Sequence, residues 1–322
     1  MKRNYGIPYM GSKNRIAKKI IDFLPSGETL VDLFGGGGAI TDCANESNKW
    51  EHIIYNELNE LPYKCFLKAL RGEYENEDRW ISRQDFITLK DIDEYAACCF
   101  SFGNSFRTYM YNEKIEPYKR AYHYAIVLDD FQPLSELFDK NTVASLQKSV
   151  KGETNKKQRR LKFTKALGKY IIGLKGERLE NLERKERLDE LKKTMNITDD
   201  DTTRNLLQNQ ERKERLDELK QKQVDNITFF NKDYRDVPIP NNAVIYCDIP
   251  YKNTGTYNKE AFDYESFYSW CEEKARQGYK VYISEYAMPE DRFECVKEIN
   301  STSRFAQAKT TKVIEKIFVP KL

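Results

Sequence analysis

What the sequence lacks narrows it first. No stretch approaches the roughly 20 consecutive apolar residues that span a bilayer. Lys2 and Arg3 have no apolar run behind them, so a signal peptide is not expected either, and the protein is read as cytoplasmic with no membrane partner. The seven cysteines are odd in number and show no CxxC spacing, which argues against a disulfide framework or a zinc site. Neither sign of charge dominates: 54 Lys and Arg face 51 Asp and Glu, a net of +3. Nucleic acid is therefore neither demanded nor excluded, and any basic surface must come from local clustering. The phosphate-cradling GxxxxGK[ST] pattern is missing, as are the strict GxGxxG offsets and any nuclease signature. What remains is a chain of 322 residues, 39% hydrophobic and 13% aromatic, enough for one large packed domain or two ordinary ones.

The rest of the chain is organised around Tyr246-Cys247-Asp248-Ile249-Pro250-Tyr251. Ala243 to Cys247 are apolar or aromatic and rich in β-formers, as in a buried strand. The strand ends in an acid, a proline and a ring. Ligands of open α/β sheets bind at the carboxyl ends of the strands. There, a carboxylate and a backbone carbonyl accept both hydrogens of an exocyclic amine while the ring stacks on its heterocycle. Asp-x-Pro-Tyr also occurs in ordinary strand-to-turn junctions, so the tetrapeptide alone does not decide.

Toward the N-terminus, Pro8 to Lys13 leads into Ile16, Ile20, Ile21 and Leu24, a helical spacing stopped by Pro25. A Gly-Ser-Lys turn at a helix start presents a cation and free N–H groups to an anion such as a carboxylate; a plain capping turn is the alternative. Thr29 to Phe34 reads as a strand, followed by Gly35-Gly36-Gly37-Gly38 and a helix opened by Ala39 and Ile40. Strand, glycine turn and helix are the first half of a nucleotide-binding βαβ unit. A second strand, His52 to Tyr55, ends at Asn56-Glu57-Leu58-Asn59, where an acid suits the paired hydroxyls of a ribose. A nucleoside ligand without a pyrophosphate fits this better than a dinucleotide.

From Arg71 the character changes. Cys98 to Tyr109 interleaves aromatics with amide, hydroxyl and arginine, a mixture that inserts into a base stack or fills the core of a small subdomain. Lys156-Lys157-Gln158-Arg159-Arg160 is the strongest basic cluster, suited to phosphate contact or to a solvated helix face. ERKERLDELK occurs identically at 183–192 and 211–220, a period of 28 residues. Its many Glu–Lys spacings of three or four predict two short solvent-exposed helices with a turn at Asn196 to Asp201, acting as a spacer or an arm along a partner. Strand patterning resumes near 227 with Ile227 to Phe230, and continues through the Asp248 strand, a helix over Phe262 to Lys274, Gly278 to Tyr286 and Lys312 to Val319. The simplest architecture is one α/β sheet split by an insertion.

YxGSK, DLFGGGGA, NELN and DIPY, in that order with a large insertion before the last, resemble the Dam-type adenine-specific DNA methyltransferases; SFGNSFRTY and YKVYISEYAMP are similar to phage-borne members. The resemblance implies a Rossmann-like S-adenosylmethionine-dependent methyltransferase sheet over 1–72 and 227–322. The inserted, mainly helical target-recognition domain would cover 73–226, with the charged repeat at about 178–222. It implies Tyr9 and Lys13 on the cofactor, Lys13 near its carboxylate. Asp32, Phe34, Gly36 and Gly38 would line the floor of that site, Glu57 would hold the ribose, and Asp233 and Tyr234 would flank the adenine. Asp248, Ile249, Pro250 and Tyr251 become the catalytic tetrapeptide, with Asp248 also bordering the cofactor. Asn104, Ser105, Phe106, Arg107 and Tyr109 are candidates for base contact or intercalation, and Lys156, Lys157, Arg159 and Arg160 for phosphate. The family's commonest form of the tetrapeptide is DPPY. Ile249 removes one proline ring, but the carbonyl used as an acceptor does not depend on the side chain. Duplex DNA is the expected partner of a monomer, with no metal required. Methylation of cytosine or RNA on the same fold, a non-catalytic DNA-binding relic and a nicotinamide dehydrogenase are the competing readings.

Overall fold

The computed structural model describes residues 4–176, 206–220, 222, 224–251, 262–304 and 310–322. They form two compact units, Met1–Arg71 with Leu219–Leu322, and Gly72–Glu218.

The first unit is a mixed seven-stranded sheet with helices, consistent with a Rossmann-like methyltransferase fold. Its strands are β1 (Gly27–Asp32), β2 (Trp50–Asn56), β3 (Ile227–Phe230), β4 (Val244–Asp248), β5 (Lys280–Glu285), β6 (Phe293–Arg304) and β7 (Thr310–Pro320), in the order β3-β2-β1-β4-β5-β7-β6. β1 to β5 run parallel, and β7 enters antiparallel between β5 and β6. Parallel strands covered on both faces read as continuous apolar runs. Leu30-Val31 and Val244 to Cys247 are such runs, all fully buried. The order reverses between β1 and β4, which opens a crevice at their carboxyl ends.

Local signals explain most boundaries. The Ile16–Leu24 spacing becomes the helix Ala17–Phe23, with Leu24 as its C-cap before Pro25. The helix expected over 262–274 begins at Tyr264 because the Asp263 carboxylate accepts the Ser266 N–H at 3.0 Å, an N-cap. β6 was not anticipated. It pairs along most of its length with β7, including a register shift between Cys295 and Lys297.

The regular elements among the described residues of the second unit are helices, with one isolated antiparallel bridge between Ser101 and Tyr109. Tyr122, Ile126, Leu134, Phe163, Leu167 and Leu207 are among its buried core. The repeat copy at 211–220 falls on the helix Gln208–Leu219 and corrects the expectation of a solvated arm. Leu216 and Leu219 are buried. Arg212 donates to the carbonyls of Cys98, Cys99 and Ser101, which close the helix Glu94–Phe100. The buried Lys213 donates to Glu75 O at 3.1 Å and to Asp217. Glu211 and Glu214 take the Arg160 guanidinium. Charges that look solvated in sequence are here core braces, because each finds a partner inside. The copy at 183–192 and the turn at 196–201 lie outside the described residues.

Candidate active site

The glycine turn joins β1 to the helix Ala39–Ser47, and its glycines are required by what surrounds them. A Cβ on Gly35 would stand 2.2 Å from the Tyr55 ring, and one on Gly38 2.4 Å from the Phe66 ring. Gly36 and Gly37 lie under Tyr9, and Gly36 and Gly38 also have positive φ. Packing therefore accounts for the run alongside any ligand, and it places Tyr9, half-buried, on Gly36. The Tyr55 hydroxyl donates to Gly36 O at 2.7 Å, fixing the turn from β2.

Three acids meet at the strand ends. Asp32, ending β1, is buried; its Oδ2 accepts from Thr41 N at 3.1 Å and Thr41 Oγ1 at 2.7 Å. Its Oδ1 has no hydrogen-bond partner among the described residues. Burial pushes the Asp32 carboxyl up to about 7, against the pull of the Thr41 hydrogen bonds. Glu57, just past β2, accepts from Gly36 N and Asn59 N, both at 2.7 Å. Burial raises it as well, while those two amides oppose the shift. Asp248 ends β4 with its side chain 20% exposed; burial, reinforced by Glu315, pushes it up to about 6 although Lys13 opposes.

A buried surplus of acid is costly unless a cation or hydrogen-bond donors compensate it. An orphaned Asp32 oxygen, a half-buried Glu57 and the raised acids together fit a ligand that carries hydroxyls and positive charge. The aromatic wall beside them is Phe34, whose ring lies 5.5 Å from Tyr234 and 5.6 Å from Phe267, with Trp270 edge-on to Tyr234 at 5.3 Å. Asp233 is occupied locally: it caps the turn Tyr234–Asp236 and pairs with Arg235 at 2.7 Å.

Lys13 stands against the tetrapeptide, between two acids. Its buried Nζ lies 2.6 Å from Asp248 Oδ1, 3.7 Å from Glu315 Oε1 and 4.7 Å from the centre of the Tyr251 ring. Burial works against its charge, but Asp248 and Glu315 outweigh that and hold the ammonium above its ordinary value. The Tyr251 hydroxyl donates to Glu315, and its ring meets Tyr286 edge-on at 4.6 Å. The Pro250 carbonyl accepts from the Tyr264 hydroxyl at 2.8 Å. Ile249 is buried in the core that includes Phe267 and Ile283, so the departure from DPPY is met by packing. The loop 252–257 that follows lies outside the described residues.

Sequence reasoning missed two residues here. Glu315 is buried on β7 and reaches Lys13 and Tyr251 only because β7 enters the sheet beside β5. Asn56 pins the ends of three strands, donating to Leu33 O and Lys232 O at 3.0 Å and accepting Lys232 N at 3.1 Å. Its place directly before Glu57 was the available signal. Nothing local marks Glu315.

In the second unit the DNA-contact candidates divide. Phe106 and Tyr109 are buried, which corrects their reading as intercalators; the Tyr109 hydroxyl lies 3.0 Å from Ile81 O and 3.1 Å from Glu116 Oε1. Asn104 and Ser105 are half-buried, Arg107 is exposed, and Phe102 stands 55% exposed on the same loop. The loop is closed by Met110 N donating to Phe100 O at 2.9 Å, with positive φ at Gly103, Asn104 and Phe106. The basic cluster is similarly depleted. Arg160 is buried and bidentate to Glu214 with Glu211 beside it. Arg159 is buried between Ala125 O and Asp129. Lys156 pairs with Asp78, and Lys157 is half-exposed at 3.1 Å from Glu218. Phosphate contact by Arg159 and Arg160 is therefore corrected to a scaffolding role, because both guanidiniums are buried and already bonded.

Among the described residues no helix is long and apolar enough to cross a membrane, and no group of three or more His, Cys, Asp or Glu could hold a metal ion. The family model for D12 class N6 adenine-specific DNA methyltransferases matches residues 9–316. A search of curated proteins found no match.

Proposed function

The chain belongs to the D12 class of N6 adenine-specific DNA methyltransferases, and we propose that it moves a methyl group from S-adenosylmethionine to the amino group of an adenine flipped out of duplex DNA. The observation that carries this reading is the convergence of Asp248 and Tyr251 at the tip of β4 with the acid-lined crevice of Asp32 and Glu57.

Extruding the base costs a few kcal/mol, since the reacting nitrogen is inaccessible inside the duplex. Tyr251 stacks on the flipped ring. Asp248 and the carbonyl of Ile249 accept the two amine hydrogens, drawing the nitrogen lone pair out of ring conjugation and aiming it outward. Held in that geometry, the amine needs little further ordering to react, and the Asp248 carboxylate stabilises the positive charge that develops on nitrogen. Glu57 accepts from the ribose hydroxyls, the Asp32 Oδ1 takes a further donor, and the packed pair Phe34 and Tyr234 offers one apolar wall for the cofactor's adenine. Gly36 and Gly38 give the backbone close approach, and Tyr9 covers the turn. S-adenosylmethionine supplies the methyl on a positively charged sulfur. The second unit reads the target: the exposed loop carrying Phe102, Asn104, Ser105 and Arg107 meets the bases or the backbone, and Lys156 and Lys157 remain for phosphate.

The test is transfer of labelled methyl from S-adenosylmethionine to unmethylated duplex DNA, with product bases resolved and Asp248→Ala run beside the wild type. Label on adenine that disappears in the variant is expected. Label on cytosine, transfer to RNA alone, or no transfer with cofactor binding intact each overturns the reading.

A further inference from the structure

The Lys13 ammonium has two carboxylate neighbours, at 2.6 Å on Asp248 and 3.7 Å on Glu315, and it lies over the Tyr251 ring. Glu315 also receives the Tyr251 hydroxyl, so one buried carboxylate on β7 touches both other members of the cluster. With Lys13 on Asp248, the arrangement is poor for accepting an amine. The ammonium occupies Asp248 Oδ1 and leaves the amine only the other oxygen of a carboxylate whose charge is already neutralised. It also places positive charge beside a nitrogen that must itself become positive, a repulsion that is strong in a water-poor site.

We propose that Glu315 is a positioning residue of the methyl-acceptor site, taking the Lys13 ammonium over from Asp248 when the target amine arrives and holding the Tyr251 ring by its hydroxyl. This rests on the methyl-transfer reading above. No bond is made or broken at Glu315. A shift of Lys13 toward a neighbour already 3.7 Å away frees the Asp248 oxygen, keeps the ammonium neutralised, and draws its charge away from the reacting nitrogen. Tyr286, edge-on to Tyr251, and Tyr246, whose hydroxyl is bonded to Ser284 at 2.7 Å, complete the wall around the pair.

The test compares wild type, Glu315→Gln, Glu315→Asp and Tyr251→Phe in single-turnover methyl transfer at saturating DNA and cofactor, with cofactor Kd and Tm measured alongside. Glu315→Gln leaves Lys13 only Asp248 as a carboxylate neighbour, and its rate is expected to fall roughly tenfold or more. Cofactor affinity should stay within about twofold, since Glu315 does not face that site. Charged and titratable groups facing Asp248 are Lys13, Glu315, Tyr251, Tyr246, Tyr286, Asp32 and Glu57. Removing the negative charge of Glu315 lowers the pH of the acid limb of the rate profile. Glu315→Asp should recover part of the rate, and Tyr251→Phe should lose less than Glu315→Gln and move the limb the opposite way, upward, because the Tyr251 hydroxyl lowers the Asp248 carboxyl. A wild-type rate and an unmoved limb in Glu315→Gln overturn the proposal. So does equal loss in Glu315→Gln and Glu315→Asp accompanied by a fallen Tm, which marks a merely structural residue. Wild type inactive on DNA would instead remove the methyl-transfer reading, and this inference with it.

Discussion

The two units handle buried charge in opposite ways. In the helical unit the buried cations are matched: Arg160 by Glu211 and Glu214, Arg212 by three carbonyls, Lys213 by Asp217 and Glu75 O, and Lys119 by Leu206 O at 2.8 Å. Burial lowers Lys119 to about 7, against the pull of Glu211. At the carboxyl edge of the sheet the acids Asp32, Glu57 and Asp248 lie near one another, Lys13 answers only Asp248 and Glu315, and the first three are raised by burial. A matched buried charge holds a fold together. A surplus of one sign, kept at the topological switch point of a sheet, marks where a ligand of the other sign completes the structure.

Four experiments sharpen or break that contrast. The largest effect is expected for Glu57→Gln: loss of a charge-assisted hydrogen bond to the ribose weakens S-adenosylmethionine binding roughly 10–100-fold, measured by calorimetry. An unchanged Kd would remove Glu57 from the ligand seat. Next comes Arg160→Ala, which leaves the half-buried Glu211 and Glu214 side by side without their cation. It should destabilise the chain by about 1–2 kcal/mol in denaturant titration while leaving cofactor affinity alone, and no loss would mean the pair is decorative.

Asp32→Asn tests the sign of the surplus. The folded protein holds the Asp32 proton more tightly than the unfolded chain, with a value near 7 against an ordinary 3.8. Stabilisation from that proton is complete below about 4 and lost as pH rises through 7. The variant should therefore gain about 1–2 kcal/mol over wild type at pH 8, a rise in Tm of a few degrees that fades toward pH 4. A gain that grew at low pH would reverse the argument. Lys157→Ala should do least, within about 0.5 kcal/mol of wild-type stability for an exposed pair. If Lys157 touches phosphate, the salt dependence of DNA binding should flatten by about one counterion.

Much of the sheet unit was legible because its signals are local. The apolar run Val244–Cys247 before Asp248, the glycine turn after β1 and the acid after β2 each carry their meaning within ten residues. What escaped depends on distant partners. Glu315 reads as one polar residue in an alternating strand, and only pairing of β7 with β5 turns it toward Lys13. Arg159 and Arg160 look like a basic patch until the helix Gln208–Leu219 supplies Glu211 and Glu214. Phe106 and Tyr109 share their composition with exposed Phe102, and loop geometry alone decides which ring is buried.

The strand order has a consequence for how the chain is made. β1 lies between β2 and β4, yet β4 follows the entire helical unit in sequence, so a ribosome releases β1 and β2 long before their central neighbour exists. Contacts across so long a loop form slowly, whereas the helical unit has its own core and closes within a single continuous stretch. The inserted unit should therefore be native on the nascent chain while the sheet still waits for its middle, and the crevice that gathers Asp32, Glu57 and Asp248 comes into being only near the end of synthesis.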